Sequence, residues 1–266
     1  MKPSIIPKKS LGQNFLVNPR ILNKIVEAAE ISEKDTILEV GPGTGNLTQK
    51  LAEKAGKVIA VEKDRRLIEQ LKEKFKDANA EIVEFDVLKL NIETLIENLK
   101  LKIENYKIVA NIPYYITSRF LRTVFEKWPK PELIVLTIQK EVAQRIMAKP
   151  PKMNLLALSV QFFAKPKIIG YISKENFQPR PKVDSAIIKL TPKEKLPAGN
   201  PEKFFKIIRA GFSGRRKQLT NSLSGSLNLP KREIMGLLEK NKIKMNARAE
   251  ELSIDDWLKI AEFDTI

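Results

Sequence analysis

Up to Leu190 the chain alternates short β-branched and aliphatic runs with stretches of helical period. That alternation is the pattern of crossover units on a mostly parallel sheet. It predicts seven strands: Thr36 to Val40, Lys57 to Glu62, Glu81 to Phe85, Lys107 to Ala110, Glu132 to Ile138, Pro166 to Ile172 and Ser185 to Leu190. Helices fill the gaps. One opens at Asn18, whose side chain caps it while Pro19 takes the first helical position, and another runs from about Arg65 to Lys74.

Past Leu190 the periodicity changes. Thr191 to Pro201 holds three prolines and a glycine and reads as a linker. Beyond it only helical spacing is found, with Phe204, Phe205, Ile208 and Phe212 on one face. The expected organisation is a doubly wound α/β domain over residues 1–191 and a small helical domain over 192–266, within reach of a 266-residue chain.

Composition narrows the chemistry. The chain has neither cysteine nor histidine, which excludes disulfides, Cys/His zinc sites, thiol nucleophiles and imidazole bases. No metal is expected. A net charge of +16 points to a polyanionic partner, because Lys and Arg that neutralise phosphates release counterions. Abundant Lys and Glu also fits a thermophile's surface. Met1 to Val17 holds no apolar signal core, and no apolar run approaches the roughly 20 residues a bilayer needs, so a soluble cytoplasmic protein is expected.

Glu39-Val40-Gly41-Pro42-Gly43-Thr44-Gly45 follows the first predicted strand and precedes a helix, where a glycine turn lets a nucleotide approach the backbone. Asn46 stands where the dinucleotide fingerprint wants a small residue, which disfavours NAD. Glu62 ends the second strand and Asp86 follows the third, both at the carboxyl edge where open sheets bind ligands. A carboxylate after the second strand suits two ribose hydroxyls; one after the third can accept from an adenine amine.

The fourth strand leads into Asn111-Ile112-Pro113-Tyr114-Tyr115. An adenine amine is a poor nucleophile because its lone pair is delocalised into the ring, so a catalyst must position it and favour pyramidal geometry. The Asn111 oxygen and the Ile112 carbonyl are suited to accept its two hydrogens. Pro113 biases Ile112 towards extended backbone and has no competing N–H, and Tyr114 offers a ring for stacking. Downstream, Asn176 to Ser185 is a proline-stiffened loop whose Phe177 suits the other face of a base.

With these residues in place, the chain resembles the KsgA-type ribosomal RNA adenine dimethyltransferase family over nearly its whole length. The resemblance rests on Leu11-Gly12-Gln13-Asn14-Phe15-Leu16, the Gly41 turn, Glu62, Asp86, Asn111 to Tyr114, the Phe177 loop, and Phe212-Ser213-Gly214-Arg215-Arg216-Lys217-Gln218-Leu219. Ile112 replaces the leucine usual in the family, which leaves the backbone carbonyl role intact.

The resemblance implies a seven-stranded Rossmann-like class I sheet using S-adenosylmethionine, with an all-helical, RNA-binding C-terminal domain. It implies N6-dimethylation of two adjacent adenosines in the 3′-terminal hairpin of 16S ribosomal RNA, in the 30S subunit or a late assembly precursor, by a monomer. It also implies that Gln13, Asn14 and Leu16 cover the cofactor's methionine end. Gly41, Gly43, Glu62, Asp86 and Asn111 complete that site, and residues 1–17 close over it. Lys203 to Arg232 hold eight Lys or Arg and no acid, so Arg215, Arg216 and Lys217 are expected on RNA phosphates.

Two rivals are a 23S ribosomal RNA adenine methyltransferase of the antibiotic-resistance kind and a non-catalytic ribosome-assembly factor of the same fold. The Arg215-Arg216-Lys217 tail followed by Asn221-Ser222-Leu223 resembles the small-subunit enzymes more. A DNA adenine methyltransferase would place Asp and a second proline in the Asn111 motif.

Overall fold

The computed structural model describes residues 7–8, 11–98, 106–197, 200–214 and 217–262. The chain divides into two compact units, Met1–Ala143 with Pro166–Pro192, and Gln144–Lys165 with Lys193–Ile266.

Among the described residues nine strands are found: β1 Phe15–Leu16, β2 Thr36–Val40, β3 Lys57–Glu62, β4 Ala80–Glu84, β5 Tyr106–Asn111, β6 Leu133–Gln139, β7 Ala164–Ile172, β8 Phe177–Gln178 and β9 Ser185–Pro192. Seven form one sheet in the order β4-β3-β2-β5-β6-β9-β7, and β1 pairs with β8 apart from it. The pairs β3/β4, β2/β3, β2/β5 and β5/β6 are parallel, while β6/β9 is antiparallel. Because β3 and β5 flank β2, the strand order reverses at β2, and the carboxyl ends of these strands open a crevice there.

The central strands are buried on both faces, which is why they read as continuous aliphatic runs. Helices α1 Pro19–Ala28, α2 Asn46–Ala52, α3 Arg65–Lys74, α4 Ile92–Asn98 and α5 Thr117–Lys127 follow these strands in turn. Asn18 caps α1 by accepting from Arg20 N, with Pro19 at the first position. One core gathers Leu22, Ile25, Val58 and Val109; another gathers Leu67, Leu71 and Phe75 of the α3 region.

The second unit is helical: α7 Leu155–Phe163, α8 Pro201–Gly211, α9 Leu219–Leu227, α10 Lys231–Lys240 and α11 Ile254–Ala261, with α6 Lys140–Ile146 running across the division. Phe204, Phe205 and Ile208 are buried together with Trp257 and Leu238. The expected division at residue 191 misplaces Gln144–Lys165. Leu158 and Phe162 of α7 belong to the C-terminal core, and the Phe162 ring stacks on Phe204 with centroids 4.6 Å apart. Apolar contact, not chain order, decides which unit a helix joins. Among the described residues no helix is long and apolar enough to cross a membrane.

Candidate active site

A cavity of about 240 Å³ lies at the carboxyl ends of β2 to β5. Its wall includes Gly41 and Gly43 after β2, Glu62 and Lys63 at β3, Phe85 and Asp86 after β4, and Asn111 to Arg119 after β5. Leu11–Phe15 form the remaining wall. Each strand therefore delivers its candidate residue to the place where the sheet topology opens.

Glu62 is almost fully buried and accepts three backbone N–H groups, from Gly43 at 3.2 Å and from Lys63 and Asp64 at 2.8 Å each. Burial pushes its carboxyl above the usual glutamate range, and the three amides pull against that shift. The same contacts tie the β3 end to the Gly43 turn, where φ is +58°. A side chain at Gly43 would also strike the Phe15 ring at 2.7 Å, so glycine there lets the Leu11–Phe15 wall close in.

Asp86 accepts from Leu88 N at 3.1 Å and from the Lys63 ammonium at 2.9 Å. Burial raises its carboxyl, but Lys63 and the Leu88 amide outweigh that and hold it below the usual aspartate range. Glu39, one turn back on β2, is fully buried and its Oε2 has no hydrogen-bond partner. Burial pushes its carboxyl up to about 8.

The Asn111 amide is fixed by chemistry at one end. Its Nδ2 donates to the Asn14 carbonyl at 3.0 Å. A carbonyl can only accept, so the amide cannot be turned round, and among the described residues Oδ1 has no hydrogen-bond partner. Pro113 is extended at φ −56°, ψ 133°, and Tyr114 begins a short 3-10 turn beyond it. The Tyr114 hydroxyl lies 2.6 Å from Ser185 Oγ, which anchors the ring, and burial raises that hydroxyl's pKa.

The Leu11–Leu16 segment is pinned at four places. Gln13 Nε2 donates to Asp64 at 2.8 Å, Asn14 takes the Asn111 amide, Asn46 Nδ2 donates to the Leu16 carbonyl at 3.1 Å, and Phe15 and Leu16 pair with Gln178 and Phe177.

Carboxylates at two successive strand ends, separated by the apolar Val61, Val87 and Phe85, suit an adenosine moiety with a diol at one end and an amine at the other. A family model described as ribosomal RNA adenine dimethylase matches residues 7–265. The chain belongs to that family. A relative from Dehalococcoides mccartyi named ribosomal RNA small subunit methyltransferase A is 45% identical over 257 residues, 95% of this chain and 87% of that one. A relative of the same name from Mycoplasmopsis synoviae is 43% identical over 93% of each chain.

Among solved structures, a dimethyladenosine transferase from Plasmodium falciparum superposes with a TM-score of 0.80 at 31% identity, over 92% of this chain and 95% of that one. The 23S rRNA methyltransferase ErmE superposes at 0.75 with 27% identity, over 94% of this chain and 98% of that one.

Within this adenine dimethylase the cavity brings together Gln13, Asn14, Gly41, Gly43, Glu62, Asp86, Asn111, Ile112, Pro113 and Tyr114. Two residues expected there are elsewhere. Phe177 is only 4% exposed and packs in the core with Leu16 and Leu22, because β8 pairs with β1 and turns both side chains inward. Leu16 is buried in the same core, and its backbone carbonyl accepts from Asn46 Nδ2 at 3.1 Å. Of the basic cluster, Lys217 is exposed, and Arg215 and Arg216 lie outside the described residues.

Lys63, Phe85 and Tyr115 are wall residues that sequence reasoning did not single out. Asp64 was missed as well, and it holds the wall. The Arg66 guanidinium bonded to it brings its carboxyl down to about 2, and Gln13 adds to that effect against burial. Since the folded-state pKa lies below the unfolded value near 3.8, the stabilisation is complete above about pH 4 and is lost as pH falls through about 2. Asp64→Asn is expected to lower stability at pH 7 by on the order of 1 kcal/mol and to flatten the pH dependence between about 4 and 2. Urea unfolding of both proteins across that range checks it; parallel profiles contradict it.

Proposed function

We propose that the chain dimethylates N6 of two adjacent adenosines in the 3′-terminal hairpin of 16S ribosomal RNA, within the 30S subunit or a late assembly precursor. It acts as a cytoplasmic monomer with S-adenosylmethionine as methyl donor. The observation that carries this reading is the Asn111 amide, oriented by the Asn14 carbonyl on the wall of the cavity that Glu62 and Asp86 also line.

Bound in that cavity, S-adenosylmethionine supplies an electrophilic methyl group on a sulfonium centre. Glu62 and Asp86 take the ribose and adenine ends, and Gln13 and Asn14 cover the methionine end. Asn111 Oδ1 and the Ile112 carbonyl accept the two amine hydrogens, drawing the target nitrogen towards pyramidal geometry and freeing its lone pair. Tyr114, anchored on Ser185, stacks on the base. No side chain needs to be a strong base, since the proton leaves to water once the nitrogen is methylated.

Arg215, Arg216 and Lys217 supply phosphate contacts from the helical region. Replacing all three with Gln is expected to weaken 30S binding and flatten the salt slope by roughly two to three units. Cofactor affinity stays unchanged, because the cavity wall is drawn from residues 11–119. A salt titration of wild type and triple variant measures this; two parallel slopes contradict it.

The large-subunit reading is carried only by the likeness to ErmE, at lower identity than the relatives named for the small subunit. Labelled methyl transfer to unmethylated 30S and 50S particles separates the two. Incorporation confined to 30S is expected, and incorporation into 50S alone overturns the proposal.

A further inference from the structure

Tyr115 stands out in the cavity wall. At 63% exposure it is the most exposed large apolar or aromatic residue among those described, whereas the neighbouring Tyr114 is half-buried and anchored by Ser185. With Phe85, 44% exposed in the same wall, Tyr115 leaves aromatic surface open at one cavity. Its orientation is imposed. The Cδ1 and Cε1 edge lies against Gly12, close enough that a Cβ there would come within 3.1 and 3.2 Å, and Gly12 sits at φ +61°, where glycine is favoured. The Gly12 backbone backs one edge of the ring, and most of the side chain stays open.

Arg119 is exposed, lines the same cavity, and makes no ion pair among the described residues. An open aromatic ring and an unpaired guanidinium on the wall of one cavity are the combination that binds single-stranded nucleic acid, the ring taking a base and the cation a phosphate. Tyr114 and Tyr115 are consecutive in a short 3-10 turn and line the same cavity, Tyr114 held at Ser185 and Tyr115 against Gly12, so a strand whose target base rests on Tyr114 passes a second, open ring at the cavity wall.

We propose that Tyr115 is a stacking subsite for the base adjacent to the target adenine, with Arg119 on the phosphate between them. This rests on the RNA-methylating reading above and deepens it: a subsite for the neighbour registers a pair of adjacent adenosines, so that either can enter the cavity while the other is held.

The test uses the full chain and 30S particles reconstituted with unmethylated ribosomal RNA, either intact or with one of the two adenosines made abasic. On intact particles Tyr115→Ala is expected to lower kcat/KM about tenfold, chiefly through KM, while Tyr115→Phe, which keeps the ring, stays within about twofold of wild type. On abasic particles wild type is expected to fall by about tenfold and Tyr115→Ala by no more. Equal losses from Tyr115→Ala on both particles overturn the subsite, as does a weakened S-adenosylmethionine Kd, which would place the ring on the cofactor. If wild type transfers no methyl to intact particles, the parent reading fails and the subsite with it. That outcome is distinct from active wild type with an indifferent Tyr115.

Discussion

Asn111→Ala is expected to slow single-turnover methyl transfer by roughly 100- to 1,000-fold while leaving RNA affinity within about threefold. The size follows from where the group acts. An acceptor placed to meet the amine hydrogens as they become more acidic is worth most in the transition state and little in the ground state, so its loss falls on the chemical step. Asn111→Asp supplies a sharper version. Aspartate retains an acceptor of similar shape but has no N–H for the Asn14 carbonyl, which now lies 3.0 Å from Nδ2. It is expected to lose activity nearly as far as alanine, because two oxygens would face each other at that contact. Rates within threefold of wild type for both variants would remove Asn111 from the reaction.

Glu62→Gln is expected to weaken S-adenosylmethionine binding by about 10- to 100-fold, the range for loss of a charge-assisted hydrogen bond of roughly 1.5 to 3 kcal/mol. A carboxylate offers about four lone-pair positions. Three meet the Gly43, Lys63 and Asp64 amides, which leaves a position for a ribose hydroxyl. Glutamine keeps the shape but turns an NH₂ towards amides that also donate, so the Gly43 turn loosens along with the ligand contact. Titration calorimetry measures the loss, and a melting curve separates it from global unfolding. An unchanged dissociation constant in a folded variant contradicts the assignment.

The parts of the fold that were legible in the sequence are those specified locally. Thr36–Val40 and Lys57–Glu62 occupy their predicted spans, since strands buried on both faces read as short, mainly aliphatic runs. The cap at Asn18 and the α3 span Arg65–Lys74 were equally plain. What escaped was set by distant partners. Two-residue strands such as β1 and β8 carry no period, so nothing in the chain announced that Phe177 would pair across to Leu16 and be buried. Leu155–Phe163 is apolar on most sides and gives no sign of which core it joins.

The site divides in the same way. Gly41, Glu62, Asp86 and Asn111 could be placed because each ends or follows a strand, and the sheet topology brings strand ends together. The grip of Asp64 on Gln13 links residues 51 positions apart, and the Asn14 carbonyl that turns the Asn111 amide comes from 97 positions away. Neither contact has a local signature. Lys63 and Asp64 did carry a hint, since they directly follow Glu62 after β3, at the carboxyl edge where open sheets bind ligands.

The most direct measurement of the central claim is the nucleoside content of the product. Unmethylated 30S subunits are incubated with the protein and S-adenosylmethionine, the 16S RNA is digested, and the fragments are mapped by mass spectrometry. The account predicts N6,N6-dimethyladenosine at two adjacent positions of the 3′-terminal hairpin and at no other site. Cofactor and 30S binding without any methyl incorporation, or methylation at a single adenosine elsewhere in the RNA, would contradict it.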